Sequence, residues 1–454
     1  MSGESKTHNI DMTSGSIMKK LILFSLPLMA SSILQLLFNA ADTVVVGQFA
    51  GENSLAAVGS NGALINLMTN LFMGLSVGTN VLLAKSIGAH DDKHSSDIVH
   101  TSMVISALGG VALMLFGVFF ADDILVLMDV PKEVIGLAAE YLKIYFVGLP
   151  AMMVYNFGSA ILRAVGDTRR PLYFLTAAGI INVGFNLFFV IKLNMDVAGV
   201  AWATVISQEV SAILIVICLI RERGPIHLDL RSLKLEKSCL KHIIRIGLPA
   251  GFQGTLFSLS NVVIQSSVNS FGATVVAGNS AAQNLEGFVY VSMNAVHQAA
   301  LSFTSQNVGA GRFDRVGKIL GRSLLLVTIV GVGLGNLVVL FGHQLLGIYS
   351  PSELVIEKGF VRLVWICGPY FLCGIMDVMV GVIRGMGYSV MPMIVSLIGA
   401  CGLRIFWLKT FFLMDMFHTV EMIYITYAVS WTVTFIAHVV CYKIVRQHEQ
   451  RLRS

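Results

Sequence analysis

The chain has 454 residues, 55% of them hydrophobic and only 13% charged, and its mean hydropathy is +0.77. Soluble domains carry about 25% charged residues, so this composition excludes a soluble globular protein. The formal net charge of +5 reflects where the basic residues fall along the chain and gives no indication of a nucleic-acid partner.

Residues 1–20 are polar and lack the basic flank, short apolar core and small-residue cleavage site of a signal peptide. The first apolar run is therefore expected to stay as a helix. Twelve runs follow, at 17–45, 55–85, 98–121, 137–163, 171–193, 197–220, 240–270, 274–306, 317–341, 359–384, 392–413 and 421–446. Each is near or above the ~20 residues that carry a helix across a ~30 Å hydrocarbon core. They are apolar on all sides, whereas barrel strands alternate over about ten residues. The fold class expected is an all-α integral membrane protein.

The first run holds Pro27 and, near its outer end, Asp42. The second ends in Ile87-Gly88-Ala89. The fourth runs into ILRAVGDTRRPL, with Arg163, Gly166 and Pro171. The fifth carries Asn182 and Asn186, four apart and so on one helix face; the sixth carries Thr204 and Glu209. The stretch 221–241 is the longest basic polar segment and marks a linker. It separates an N-terminal lobe (1–220, six spans) from a C-terminal lobe (242–454, six spans). Beyond it, the eighth run holds Gln283 and Glu286, the tenth Asp377 and the eleventh Arg404.

The second lobe repeats the first. Arg163, Gly166 and Pro171 return as Arg384, Gly387 and Pro392 in VIRGMGYSVMPM. Leu26-Pro27 returns as Leu248-Pro249, Ile87-Gly88-Ala89 as Val308-Gly309-Ala310, and Pro150 as Pro369. A duplicated half of this size in an apolar chain points to a transporter with its pathway between two halves. Six spans per half put both halves in the membrane the same way up. Most of the 31 Lys and Arg residues, from Lys6, Lys19 and Lys20 to Arg451 and Arg453, fall on one set of flanks, and acids such as Asp122, Asp123 and Asp129 on the other. By the positive-inside rule both termini are cytoplasmic, and the expected location is the cell membrane. The six cysteines form no CxxC or His/Cys metal spacing, and no HExxH or GxxxxGK[ST] is present. Without a P-loop, ATP hydrolysis by this chain is not the energy source, which leaves an ion gradient. Neither an enzyme nor a cofactor is indicated.

Charges within spans are costly and are either functional or paired. Asp42 reads as a proton or hard-cation carrier or as a solvated interfacial cap. Asn182, Asn186 and Thr204 offer neutral oxygens that suit a small cation, or they join helices by hydrogen bonds. For Gln283, Glu286, Asp377 and Arg404 the readings are an acidic cleft wall for organic cations, or an ion pair of Arg404 with Asp377 or Glu286. Glu209 is expected to be structural.

Taken in order, Leu26-Pro27, Gln35 to Asn39, Asp42 to Gly47, Ile87 to Ala89, Leu162 to Thr168 and Gln306 to Gly311 resemble the multidrug and toxic compound extrusion (MATE) family over nearly the whole chain. The resemblance implies twelve helices in two pseudo-symmetric six-helix lobes. It also implies export of organic, mostly cationic compounds in exchange for Na⁺ or H⁺. It assigns coupling-ion binding to Asp42, Asn182 and Thr204. Asn186 stands where that branch has a second Asp, which removes one negative charge and weakens the case for Na⁺. Pro27 matches a family proline implicated in bending the first span. Gln253 stands where other branches carry a C-lobe acid.

The function expected is secondary active multidrug efflux by antiport, with the chain a monomer whose partners are small organic cations and the bilayer. The alternative is a flippase for lipid-linked saccharides of the same wider superfamily, which would favour a cleft rich in bases. Arg404 is the one clear mid-span base in this reading.

Overall fold

A computed structural model describes residues 9–128 and 130–452. Lys6 and Arg453 of the basic flanks, and Asp129 of the opposite loops, lie outside the described residues. The chain is helical throughout. α1 (Ile17–Phe49), α2 (Glu52–Gly88) and α3 (Asp92–Leu127) are single long helices. α4 (Ile135–Val147) and α5 (Leu149–Ala164) follow, then α6 (Arg169–Leu187), continued by a π-helical turn over Phe188–Lys192, and α7 (Asp196–Arg221). The second half runs α8 (Lys237–Asn269), α9 (Ala273–Gly309), α10 (Phe313–Leu340), the short α11 (Gly342–Tyr349), α12 (Glu353–Cys367) and α13 (Phe371–Gly385). α14 (Val390–Ser396), a π turn over Leu397–Gly402, α15 (Leu403–Lys409) and α16 (Val420–Arg451) complete it.

Among the described residues, eight helices are long and apolar enough to cross a membrane, and ten spans result if each of two bent pairs counts once. α8 and α9, at 33 and 37 residues, are as long but carry more polar residues. The protein is an all-α, multi-pass membrane protein.

Two runs read as continuous spans are in fact bent. α4 and α5 meet at 45°, and α12 and α13 at 43°. The breaks fall beside Pro150 and Pro369, which are repeat partners. Proline lacks the N–H that an uninterrupted helix needs and crowds the preceding turn. α11 is a further addition to the expected order.

The repeat extends to backbone conformation. Gly166 and Gly387 have φ of 91° and 103°, and Gly51 and Gly272 have 88° and 91°. At the end of α2, His90 takes φ 55°, and at the end of α9 its repeat partner Gly311 takes 69°. The same left-handed turn is thus made once by glycine, which has no Cβ to oppose it, and once by histidine.

The described chain forms two compact units: Met1–Asp11 with Ala30–Gly247, and Met12–Met29 with Leu248–Ser454. The division does not fall in the linker. It falls inside α1 and α8, beside the repeat partners Pro27 and Pro249. Within the second unit, Phe24 of α1 is fully buried and meets Phe303 edge-on at 5.6 Å. Within the first, α8 approaches α2 so closely that a Cβ on Gly78 would lie 2.2 Å from the Ile243 carbonyl oxygen.

The segment between α7 and α8 also belongs to the first unit and is docked on it. The Asp229 N–H donates to His100 Nε2 at 3.2 Å, and the Glu236 N–H to Thr101 Oγ1 at 3.1 Å. Ile226 and Leu228 are buried there with Leu83, Ile98 and Leu219. The Ser232 hydroxyl and the Arg231 N–H hold the Asp229 carboxyl below the usual range. Before α1, the chain is gripped in the second unit. Asn307 Nδ2 donates to the Met12 carbonyl at 3.0 Å, and Arg315 Nη2 to those of Ser14 and Gly15 at 3.3 and 3.2 Å.

Candidate functional site

In the first unit, α1 and α6 come together through a glycine. The Phe38 ring occupies the place of a side chain on Gly179, where an added Cβ would sit 1.8 Å from it. One turn further along each helix, this approach brings Asp42 of α1 beside Asn182 and Asn186 of α6. α7 supplies Thr204. Behind them lies an apolar core that includes Val45, Val46, Val190 and Val200.

The four side chains form one hydrogen-bonded chain. Asn186 Nδ2 donates both to the Asp42 carboxylate and, at 3.2 Å, to Asn182 Oδ1. Asn182 Nδ2 donates to Thr204 Oγ1 at 3.4 Å, and the Thr204 hydroxyl donates to the Val200 carbonyl at 3.0 Å. Asn182 and Asn186 are buried, Asp42 is half-buried, and Asn186 Oδ1 is a buried acceptor with no partner among the described residues. The set offers one carboxylate, two carboxamide oxygens and one hydroxyl. Such a group can hold a proton on Asp42 or a small hard cation among neutral oxygens. Among the described residues no group of three or more His, Cys, Asp or Glu could hold a metal.

The C-lobe candidates sit in the second unit and are arranged differently from expectation. Glu286 of α9 does not pair with Arg404. Its carboxylate takes Arg362 of α12 in a two-pronged ion pair, with Nε at 2.6 Å and Nη2 at 2.8 Å. Arg362 Nη1 donates to Asn279 Oδ1 at 2.7 Å, which also accepts from the Tyr424 hydroxyl at 3.2 Å. All four residues are buried. Glu286 is therefore tied up in a closed network. Gln283 is exposed and reaches Gln265 at 3.5 Å.

Asp377 of α13 does not pair with Arg404 either. It is half-buried, its carbonyl meets His297 Nδ1 at 2.6 Å, and the guanidinium in electrostatic reach is Arg384, two turns along the same helix. Arg384 is buried and donates to Gln253 Oε1 at 2.6 Å. Arg404 donates Nε to Ser430 Oγ at 2.8 Å and lies over the Tyr427 ring at 4.2 Å. Glu209 is exposed on α7.

Sequence reasoning brought out Arg404 alone as a mid-span base and passed over Arg362 and Arg384. Arg362 lies in GFVRLVW, one turn after Lys358, where it reads as the charged end of a span. The signal available was Glu286, an acid deep in an apolar helix that requires a base. Arg384 stands out in the sequence only as the repeat partner of Arg163, and its bond to Gln253 is not marked there.

The sequence profile of the MatE family matches residues 27–188 and 249–407, one segment in each half, starting at Pro27 and Pro249. The chain is 28% identical over 397 residues to the probable multidrug resistance protein YoeA of Bacillus subtilis, covering 86% of each chain. It is 29% identical over 394 residues to YpnP of the same organism, also a probable multidrug resistance protein, covering 87% of this chain and 88% of that one. In fold it matches a MOP superfamily transporter from Pyrococcus furiosus at a TM-score of 0.90 with 22% identity, over 99% of this chain and 100% of the other.

Proposed function

The chain belongs to the MatE family, and from that premise we propose that this multi-pass transporter exports organic, mostly cationic compounds by antiport with H⁺ or Na⁺. The two Bacillus relatives, named as probable multidrug resistance proteins, support a drug-like substrate. The basic flanks support an orientation in the cell membrane with both termini cytoplasmic.

The observation that carries the coupling role is the Asp42–Asn186–Asn182–Thr204 chain. Asp42 is its one carboxylate, so a single positive charge neutralises it. As arranged, the carboxylate accepts from Asn186 Nδ2, which suits its ionised form. A proton on Asp42 turns it from acceptor to donor, and the unpartnered Asn186 Oδ1 becomes its acceptor once the carboxamide turns over. Loading and unloading then switch one hydrogen bond between α1 and α6. Na⁺ fits the same oxygens, but with one formal charge where the family branch has two.

Substrate efflux from proteoliposomes, with ΔpH and ΔNa⁺ imposed separately, tests this reading. ΔpH is expected to drive export and Asp42→Asn to abolish it in a folded protein. Full export by Asp42→Asn would remove Asp42 from the coupling role, and stimulation by Na⁺ alone would reverse the preference for protons.

A further inference from the structure

The buried charges of the second unit do not balance. Four guanidiniums are buried there: Arg315, which is held by the backbone carbonyls ahead of α1, and Arg362, Arg384 and Arg404 further along the chain. Two carboxylates accompany them. Glu286 is spent on Arg362, whereas Arg384, in electrostatic reach of Asp377 but with no ion pair to it among the described residues, is held by Gln253. Among the described residues, no carboxylate lies within ion-pair distance of Arg404. A guanidinium in a membrane-spanning segment normally pairs with an acid or faces a polar pathway.

Arg404 is also held in one orientation. Its Nε is fixed by Ser430 Oγ, which in turn donates to the Tyr427 carbonyl at 2.9 Å. Its flat face rests on Tyr427, with the Trp431 ring 5.6 Å away, and Tyr370 stacks on Trp431 at 5.3 Å. These contacts hold the plane and use one of five donor hydrogens. The Nη1 and Nη2 edge, which has the spacing to grip a carboxylate or phosphate with two parallel bonds, makes no hydrogen bond among the described residues. The residue is only 7% exposed, so it is largely shielded from bulk water while that edge makes no hydrogen bond.

The repeat gives a comparison. α6 of the first unit and the α14–α15 segment of the second are partners, and Leu403 and Trp407 stand where Asn182 and Asn186 stand in the first half. That stretch carries an acid-centred, amide-rich site in one unit and a base backed by aromatic rings in the other.

We infer that Arg404, seated on Tyr427 and Trp431, is an anion-binding site of the second unit that takes a carboxylate or phosphate group. The favoured source is an acidic group on a transported aromatic solute, and an acidic lipid headgroup is the other. The site itself does not depend on the exporter reading; the assignment of its ligand to a transported solute does.

Two measurements on the full-length protein test it separately. In neutral-lipid nanodiscs, benzoate and inorganic phosphate should each raise the melting temperature of the wild type. They should do so less in Arg404→Lys and not at all in Arg404→Gln. Replacing the neutral lipid with phosphatidylglycerol tests the headgroup: an Arg404-dependent stabilisation there, without benzoate, assigns the site to lipid. In proteoliposomes, a rhodamine with a free carboxylate is compared with its methyl ester. The acid-to-ester export ratio should fall about tenfold in Arg404→Gln, the worth of a charge-assisted hydrogen bond, and be partly kept in Arg404→Lys. Anion stabilisation without export of either dye leaves the site standing and removes the exporter reading. Export of both dyes, with neither the ratio nor the anion response depending on Arg404, overturns the site and leaves the exporter. If Arg404→Gln does not purify as a monodisperse protein, Arg404→Lys decides: an undiminished anion response and an unchanged dye ratio in it overturn the site.

Discussion

Asn186 gives its side-chain N–H to Asp42 and keeps a buried carboxamide oxygen that has no partner among the described residues. An unmet acceptor of this kind costs about 1–3 kcal/mol, and a ligand or proton that satisfies it regains that energy. In the coupling proposed above, the amide would take two positions, its preference set by the charge of Asp42.

Replacing Asn186 with Asp should shift the site toward Na⁺. A second carboxylate four residues from Asn182 raises the charge that a hard cation sees. The expected result is export driven by ΔNa⁺ in Asn186→Asp where the wild type responds to ΔpH. An unchanged ion preference in the same proteoliposomes would show that charge at this residue does not select the ion.

The Gly179–Phe38 contact should be as important as the ionisable residues. Gly179→Ala places a methyl inside the space of the Phe38 ring and pushes α1 away from α6. A misplacement of about 1 Å can cost about 100-fold in rate, so gradient-driven export should drop by at least tenfold. The double variant Gly179→Ala/Phe38→Leu should recover part of it. Failure of the second change to rescue would mean that the contact does not position Asp42.

The Glu286–Arg362 pair should report on stability. Removing one member of a buried ion pair costs about 3–5 kcal/mol, because the other is left unpaired. Glu286→Gln should lower the melting temperature markedly, and Glu286→Gln/Arg362→Met should restore much of it. A double variant as unstable as the sum of the two single ones would show that the pair is not the unit of stability.

Two glycines of the second unit should differ sharply. A Cβ on Gly278 would lie 2.6 Å from backbone atoms of Val355 and Gly359, whereas one on Gly333 meets nothing within 4 Å. Gly278→Ala should destabilise by about 1–3 kcal/mol by forcing α9 from α12. Gly333→Ala should be neutral or slightly stabilising, since alanine is the better helix former. Thermal melts of the two proteins side by side would check the contrast, and equal melting temperatures would contradict it.

Much of this was legible in the sequence because the membrane imposes long apolar runs, and the repeat and punctuating residues mark their ends. Pro150 and Pro369 were visible as repeat partners, yet a hydropathy run cannot tell a straight span from one bent at its proline. Asp42, Asn182, Asn186 and Thr204 could be grouped because spacing and family likeness both pointed to them. The C-lobe pairings could not. Which of three arginines faces Glu286 depends on helix rotation about each axis, and that is set by packing between distant segments. The division of α1 and α8 between units was equally hidden, since it depends on which neighbours each half-helix buries against.

That division has a consequence for how the protein can be taken apart. The lead-in and first half of α1 are counted with the second unit, and the docked linker and start of α8 with the first. A cut in the linker would yield two fragments, each lacking a piece the other holds. Fragments 1–228 and 229–454 should fail to fold when made singly and regain a melting transition when made together, whereas independent folding of either would show that the missing piece is dispensable.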